Sequence, residues 1–73
     1  MPYVNIKVTD EGVTQEQTTQ LIQGVTQLLV DILHKDPAAT HVVIDIIPTN
    51  HWGVAGETVT MLRKKQSTQD SMK

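Results

Sequence analysis

The 73-residue chain contains no cysteine, which excludes both disulfide bonds and thiolate zinc sites. Its three histidines, His34, His41 and His51, lack the short spacings with which one element presents several ligands to a metal ion. A chain this short buries a modest fraction of its surface as a monomer, and such small folds depend on disulfides, metals or partner subunits. We therefore expect a homo-oligomer that carries no metal and no other cofactor.

Two further absences narrow the range of partners. Eight acidic residues against six basic ones give a formal net charge of −2, so the basic field of a nucleic-acid-binding protein is missing. No apolar run approaches the ~20 residues that cross a bilayer, and no signal peptide is visible. We expect a soluble, cytoplasmic protein that binds neither nucleic acid nor membranes.

The chain begins with alternating side chains, which predict a β-strand from residue 2 to residue 8. One face of this strand carries Pro2, Val4, Ile6 and Val8. A proline is tolerated at the first position of a strand because its missing N–H need not join the ladder. Removal of Met1 would leave Pro2 as a secondary amine held by a sheet, and such an amine is a candidate general base or nucleophile.

A helix and a second strand follow. The sequence Thr-Gln-Glu-Gln from Thr14 matches a capping box, and apolar residues then recur at helical spacing as far as Leu33. Residues 41–47 are rich in β-branched residues and carry apolar side chains on both faces, which predicts a strand covered on both sides. A single helix between two strands is the crossover typical of a parallel pair, so we expect these strands to be parallel. Two strands alone make a marginal sheet, and pairing with a second copy of the chain would complete a four-stranded one. We expect Asp45, on the second strand, to be paired with a residue of an adjacent subunit.

The last third of the chain contains fewer regular patterns. Residues 49–57, Thr-Asn-His-Trp-Gly-Val-Ala-Gly-Glu, predict a loop or short hairpin, and residues 58–62 predict a short third strand. The polar residues beyond show no periodicity. We therefore expect one domain over residues 1–63, followed by a flexible polar tail over residues 64–73.

Three of these features together resemble the 4-oxalocrotonate tautomerase family over residues 2 to 63. They are the proline that opens a strand, the helix start at Glu16-Gln17 with Leu21-Ile22, and the run from Trp52 to Glu57. That run is similar to the family's aromatic-Gly-aliphatic-Gly-Gly-Glu signature, with Ala55 in place of one glycine. The resemblance implies an α+β fold: a β-α-β protomer with a short C-terminal hairpin, which dimerises into a four-stranded sheet with the helices on one face. It also implies a hexamer of three dimers, with a lone dimer as the alternative, and active sites that draw on neighbouring subunits.

The same resemblance implies an isomerase that acts on a small molecule. The amine of Pro2, freed by loss of Met1, takes a proton α to a carbonyl and returns it to a conjugated carbon. The expected substrate is a small 2-oxo acid, an enol or an unsaturated carbonyl compound. A terminal amine has a reference pKa of about 7.7–8.0, and an apolar pocket lowers that pKa toward the value that suits a general base at neutral pH.

The resemblance also suggests which residues bind the substrate. Family members that handle dicarboxylates place an arginine in the loop after the first strand and another at the start of the second strand. Val13 and His41 fall at these positions, and neither replaces a bidentate guanidinium, which argues against a diacid substrate. His41 is expected either to bind a substrate carbonyl or carboxylate, or to serve as a structural residue at a strand start. Trp52 takes the family's aromatic position in a neighbouring subunit's site, Val54 is a candidate pocket wall, and Thr9 is expected to place a hydroxyl near the pocket mouth.

Two other functions are compatible with the sequence. A non-catalytic small-molecule-binding or structural oligomer would have the same fold. It is the expected outcome if Met1 is retained, because the Pro2 nitrogen is then a tertiary amide without a basic lone pair. Hydration or dehalogenation with the proline as an acid is the third hypothesis, and it fits less well because the chain lacks the cationic residues that would bind the substrate.

Overall fold

In the computed structural model, which describes residues 1–71, a β-α-β unit is followed by a hairpin and a second helix. The first unit consists of strand β1 (Tyr3–Thr9), helix α1 (Gln15–Leu33) and strand β2 (His41–Ile47). The rest consists of strands β3 (Gly53–Val54) and β4 (Glu57–Thr58) and helix α2 (Val59–Ser71). The predicted α+β fold, with its β-α-β protomer and C-terminal hairpin, is confirmed.

Strands β1 and β2 pair in parallel, in a register that matches Tyr3 with His41 and Thr9 with Ile47. Backbone hydrogen bonds extend the pairing beyond both ends of β1. The His41 N–H donates to the Pro2 carbonyl at 3.0 Å, and the Asp10 N–H donates to the Ile47 carbonyl at 2.8 Å. The sheet thus fixes the residue before β1 as well as the first residue of the loop after it.

Helix α1 begins and ends through local capping. The Thr14 hydroxyl accepts the Gln17 N–H at 3.1 Å, and the Gln17 side chain accepts the Thr14 N–H at 3.0 Å, which completes the predicted capping box. The helix ends at Leu33 because His34 adopts a left-handed conformation with φ of 54°, and its N–H donates to the Val30 carbonyl. The capped helix packs against β2 and makes the crossover that a parallel pair requires.

The third strand expected over residues 58–62 is wrong. Only Thr58 belongs to a strand, and α2 begins at Val59 and continues to Ser71. The helix therefore includes residues 64–71, within the segment for which we expected a flexible tail. The mobility of that segment stays a prediction, and residues 72–73 lie outside the described residues.

Contacts with the preceding loop account for the helical start of α2. The Val59 N–H donates to the Trp52 carbonyl at 2.8 Å, and the hydroxyls of Thr49 and Thr60 are hydrogen-bonded to each other at 2.6 Å. Val59 is also the one apolar side chain that the described part of the protomer buries, at 5% exposure. These contacts outweigh the modest strand preference of valine and threonine, which depends strongly on context.

The described part of the protomer has almost no interior beyond Val59. Its radius of gyration is 16.7 Å, whereas a compact domain of this length has a value of about 11 Å. Many large apolar side chains stay exposed, among them Tyr3, Leu21, Ile22, Leu28, Ile32, Leu33, Val43, Ile46, Val54 and Met61. A single protomer therefore leaves these apolar side chains exposed, although a fold of this size needs their burial for stability. Neither helix, within residues 1–71, is both long and apolar enough to cross a bilayer.

Candidate active site

Pro2 lies at the end of the sheet where β1 and β2 both begin. Its carbonyl accepts the His41 N–H at 3.0 Å, so the backbone holds these two residues side by side. Met1 projects beyond the strand and is 88% exposed, whereas Pro2 is half-buried. Cleavage of the accessible Met1–Pro2 bond would therefore leave an amine at a fixed point of the sheet.

His41 is the second predicted site residue at this end. It is exposed, and its imidazole makes no hydrogen bond within residues 1–71. Because His41 and Tyr3 are paired in register, their side chains leave the same face of the sheet. The structure thus brings Pro2 and His41 together and leaves the imidazole available to a ligand.

Thr9, Trp52 and Val54 lie at the opposite end. With a rise of about 3.3 Å per residue, Thr9 is ~23 Å along the strand from Pro2. Thr9 is paired with Ile47, which lines an open cavity of about 250 Å³ together with Lys7, His51, Trp52 and Gly53. Val54 follows in β3 and is 49% exposed. Within one protomer, these three predicted site residues are therefore not brought to Pro2.

The hairpin that follows Trp52 turns through two residues with positive φ. Ala55 has φ of 53° and Gly56 has φ of 85°, the pattern of a type I′ turn between β3 and β4. Glycine adopts this conformation freely, but an alanine there places its Cβ close to the following carbonyl at a cost of roughly 1–2 kcal/mol. The turn thus accepts some strain at Ala55.

A hydrogen-bonded network at the Thr9 end was not predicted. The Thr9 hydroxyl donates to Glu11 Oε1 at 2.6 Å. Arg63 of α2 donates to both carboxylate oxygens of Glu11, through Nε at 2.7 Å and Nη2 at 3.2 Å, and its Nη1 donates to Gln66 at 3.0 Å. The hydrogen bonds from Arg63 and Thr9 lower the pKa of Glu11 from 4.5 to about 2, so this carboxylate stays ionised to a lower pH than an ordinary glutamate does.

The distance along the chain explains why this network was missed. Glu11 and Arg63 are 52 residues apart, and Arg63 lies next to the segment that was expected to be a polar tail. Opposite charge was the one signal available, and many residue pairs in the chain share it. The network ties the loop after β1 to helix α2.

Asp45 finds its partners within its own chain, which corrects the expectation of a partner in an adjacent subunit. Its Oδ2 accepts from Asn5 Nδ2 at 2.8 Å and from Lys7 Nζ at 3.0 Å. The Asn5 hydrogen bond, and then Lys7, lower the pKa of the Asp45 carboxyl. The register explains the contact, since Lys7 is paired with Asp45 across the sheet. Among the residues that the structure describes, no three acidic or histidine side chains converge to hold a metal ion.

Comparison with known proteins identifies relatives over nearly the whole chain. A family model described as "Tautomerase enzyme" matches residues 2–61. The probable tautomerase K2 of Dickeya dadantii (strain 3937) is 58% identical over 67 residues, which cover 92% of this chain and 100% of that protein. The crystal structure of DmpI from Helicobacter pylori has a TM-score of 0.80 and 45% identity, covering 86% of this chain and 97% of that one. The heterohexameric 4-oxalocrotonate tautomerase of Chloroflexus aurantiacus J-10-fl is also similar, with a TM-score of 0.76, 25% identity, and coverage of 86% of this chain and 100% of that one.

Proposed function

The chain belongs to the tautomerase family, and from that premise we propose that it is an isomerase that uses the amine of Pro2 as its general base. The observation that carries the proposal is the position of Pro2, which the His41 N–H holds at the start of the sheet next to an exposed Met1. A base of this kind must keep a fixed direction relative to the substrate, because misplacement of the reacting atoms is costly. The substrate is a small 2-oxo acid, an enol or an unsaturated carbonyl compound.

The proposed reaction moves one proton and leaves the enzyme unchanged. After loss of Met1, the Pro2 nitrogen takes a proton from the enol hydroxyl or from the carbon next to the carbonyl. The electron pair left behind is delocalised over the conjugated system, and the Pro2 ammonium then returns the proton to another atom of that system. The exposed His41 imidazole binds a carbonyl or carboxylate oxygen of the substrate.

We further propose that a second copy completes the site. Thr9 is ~23 Å along the strand from the Pro2 of its own chain, and Trp52 lines the cavity at the Thr9 end, so we expect these residues and Val54 to contact the substrate only from another protomer. Antiparallel pairing of two β1 strands would place the start of one strand opposite the end of the other. The exposed apolar side chains of the protomer and the heterohexameric relative support such an assembly, with a homohexamer as its expected form and a dimer as its minimum. Cytoplasmic location stays a prediction.

The test is the turnover of phenylenolpyruvate by a Pro2→Ala variant. We expect kcat/KM to fall by about 10²–10⁴-fold, the usual contribution of a general base. Circular dichroism and size-exclusion chromatography should show the same fold and assembly in both proteins, because the Pro2 carbonyl that anchors the strand is kept. Unchanged turnover would exclude the proline base and favour the non-catalytic binding protein as the function.

A further inference from the structure

We propose that Glu11 is a specificity-determining residue that excludes substrates with a second carboxylate, because it accepts hydrogen bonds from both Thr9 and Arg63 at the Thr9 end of the site. This inference rests on the proposed function, in which Thr9 and its surroundings contact the substrate held by the Pro2 of another copy. It adds a substrate class to that proposal. The favoured substrate is a 2-oxo monoacid, as its enol, whose far end is neutral and carries a hydrogen-bond donor.

The first argument is the geometry of Arg63. Its guanidinium binds Glu11 through two hydrogen bonds, from Nε at 2.7 Å and from Nη2 at 3.2 Å. A substrate carboxylate would also bind an arginine most strongly through two parallel hydrogen bonds of this kind. Glu11 therefore fills the position that a second carboxylate would need on this arginine.

The second argument is the single proton of Thr9. A threonine hydroxyl has one O–H to donate and two lone pairs that accept. The Thr9 proton is directed to Glu11 Oε1 at 2.6 Å, so its oxygen presents only lone pairs to any other group. A hydroxyl or N–H on the substrate can bind there, whereas a carboxylate would meet lone pairs and the negative charge of Glu11.

The charged residues near Thr9 are a third argument for the exclusion of a second carboxylate. Lys7 lines the same cavity as Trp52, and its Nζ forms a salt bridge with Asp45 Oδ2 at 3.0 Å. Arg63 and Lys7 are thus both neutralised by carboxylates of their own chain. Glu11 is ionised at neutral pH, as any ordinary glutamate is, and its hydrogen bonds from Arg63 and Thr9 favour the charged form. This end of the sheet therefore favours a neutral polar group over a second carboxylate.

The experiment compares the enols of 4-hydroxyphenylpyruvate and 4-carboxyphenylpyruvate, which differ only in the group at the far end. The wild-type protein should prefer the hydroxyl compound. A Glu11→Ala variant should raise kcat/KM for the carboxyl compound, relative to the hydroxyl compound, on the order of tenfold, because it frees Arg63 and removes a like charge. Glu11→Gln, which removes the charge but keeps the shape of the side chain, should shift the ratio in the same direction by less.

Two Arg63 variants separate this role from a structural one. Arg63→Leu alone should lower the relative kcat/KM for the carboxyl compound further, since it leaves the charge of Glu11 without a counter-ion. The double variant Glu11→Ala/Arg63→Leu should lose the gain seen with Glu11→Ala. If loosening of the loop were the cause instead, all variants that break the Glu11–Arg63 pair would shift the ratio in one direction, and the inference would be wrong.

The Pro2→Ala variant distinguishes failure of this inference from failure of the proposed function. If Pro2→Ala abolishes turnover of both compounds and the Glu11 variants leave their ratio within twofold of wild type, the specificity role fails alone. If Pro2→Ala turns over both compounds at the wild-type rate, the proposed function is wrong, and the specificity role that rests on it is wrong too. Should Glu11→Ala fold poorly by circular dichroism, Glu11→Gln alone decides the direction of the shift.

Discussion

The His41 backbone N–H donates a hydrogen bond to the Pro2 carbonyl at 3.0 Å, one residue before β1 begins. This bond joins the first residue of the second strand to the residue that carries the candidate base. Chain termini usually fray, because nothing ties down their first few residues. Here the parallel ladder itself positions Pro2, and any residue at position 41 with an N–H would supply the same anchor.

That anchor makes His41→Ala a selective test of the imidazole. The alanine keeps the backbone N–H, so the position of Pro2 and the assembly should be unchanged. We expect KM for phenylenolpyruvate to rise by about 3- to 10-fold, the value of one hydrogen bond, with a smaller change in kcat. Steady-state kinetics and size-exclusion chromatography measure the two effects. An intact assembly with wild-type kinetics would return His41 to a structural role.

A free amine at Pro2 requires that Met1 be removed. Met1 is 88% exposed, so we expect intact mass spectrometry of the active protein to show a mass lower by one methionine residue. A variant with one alanine inserted between Met1 and Pro2 provides the control, since its proline stays in an amide bond after methionine removal. That variant should lose activity by about 10²-fold or more while its circular dichroism spectrum is kept. Full activity with a blocked proline would contradict the proposed chemistry.

The β3–β4 turn predicts opposite effects of two matched substitutions. Ala55→Gly should stabilise the protein by about 0.5–1 kcal/mol, because relief of the strain at positive φ exceeds the added flexibility of the unfolded chain. Gly56→Ala should destabilise it by a similar amount, because the strain at positive φ then exceeds the gain from a less flexible unfolded chain. Denaturant unfolding at one fixed protein concentration measures both. Equal and unchanged midpoints would mean that neither residue keeps its positive φ in solution.

The Glu11–Arg63 pair predicts how stability depends on acid. The pKa of Glu11 falls from 4.5 to about 2 in the folded chain, so its contribution is complete above about pH 4.5. The contribution should decline as the pH falls below 4.5 and vanish below about 2. We expect the melting temperature of Glu11→Gln to lie below that of wild type at pH 7, and the difference to disappear as the pH falls from 4.5 to 2. A gap that does not vary with pH would contradict the pair, and Arg63→Leu should reproduce the pattern.

The β-α-β unit was predictable because its signals are local. Alternation marked β1, and the capping box at Thr14 placed the start of α1. Helix α2 was missed because its start depends on tertiary contacts such as the Val59 N–H to the Trp52 carbonyl, which residue patterns do not contain. Helix and strand preferences are weak beside such contacts.

The candidate site was predictable to a lesser extent. Pro2 and His41 become neighbours as soon as both strands start at the same end of a parallel pair. The pairing of Lys7 with Asp45 depends on the register, and the Glu11–Arg63 contact depends on where α2 lies. Neither is set by local sequence, and so a network that shapes the Thr9 end was found only in the structure.

Because Val59 alone is buried among the described apolar residues, we expect folding to be coupled to association with further copies of the chain. When association supplies the apolar burial, the population of folded chains depends on how many chains are present. The melting temperature should rise with protein concentration, and dilution should remove structure and activity together. A cell that lowers the expression of this protein would therefore lose catalysis more steeply than in proportion to the number of chains it makes.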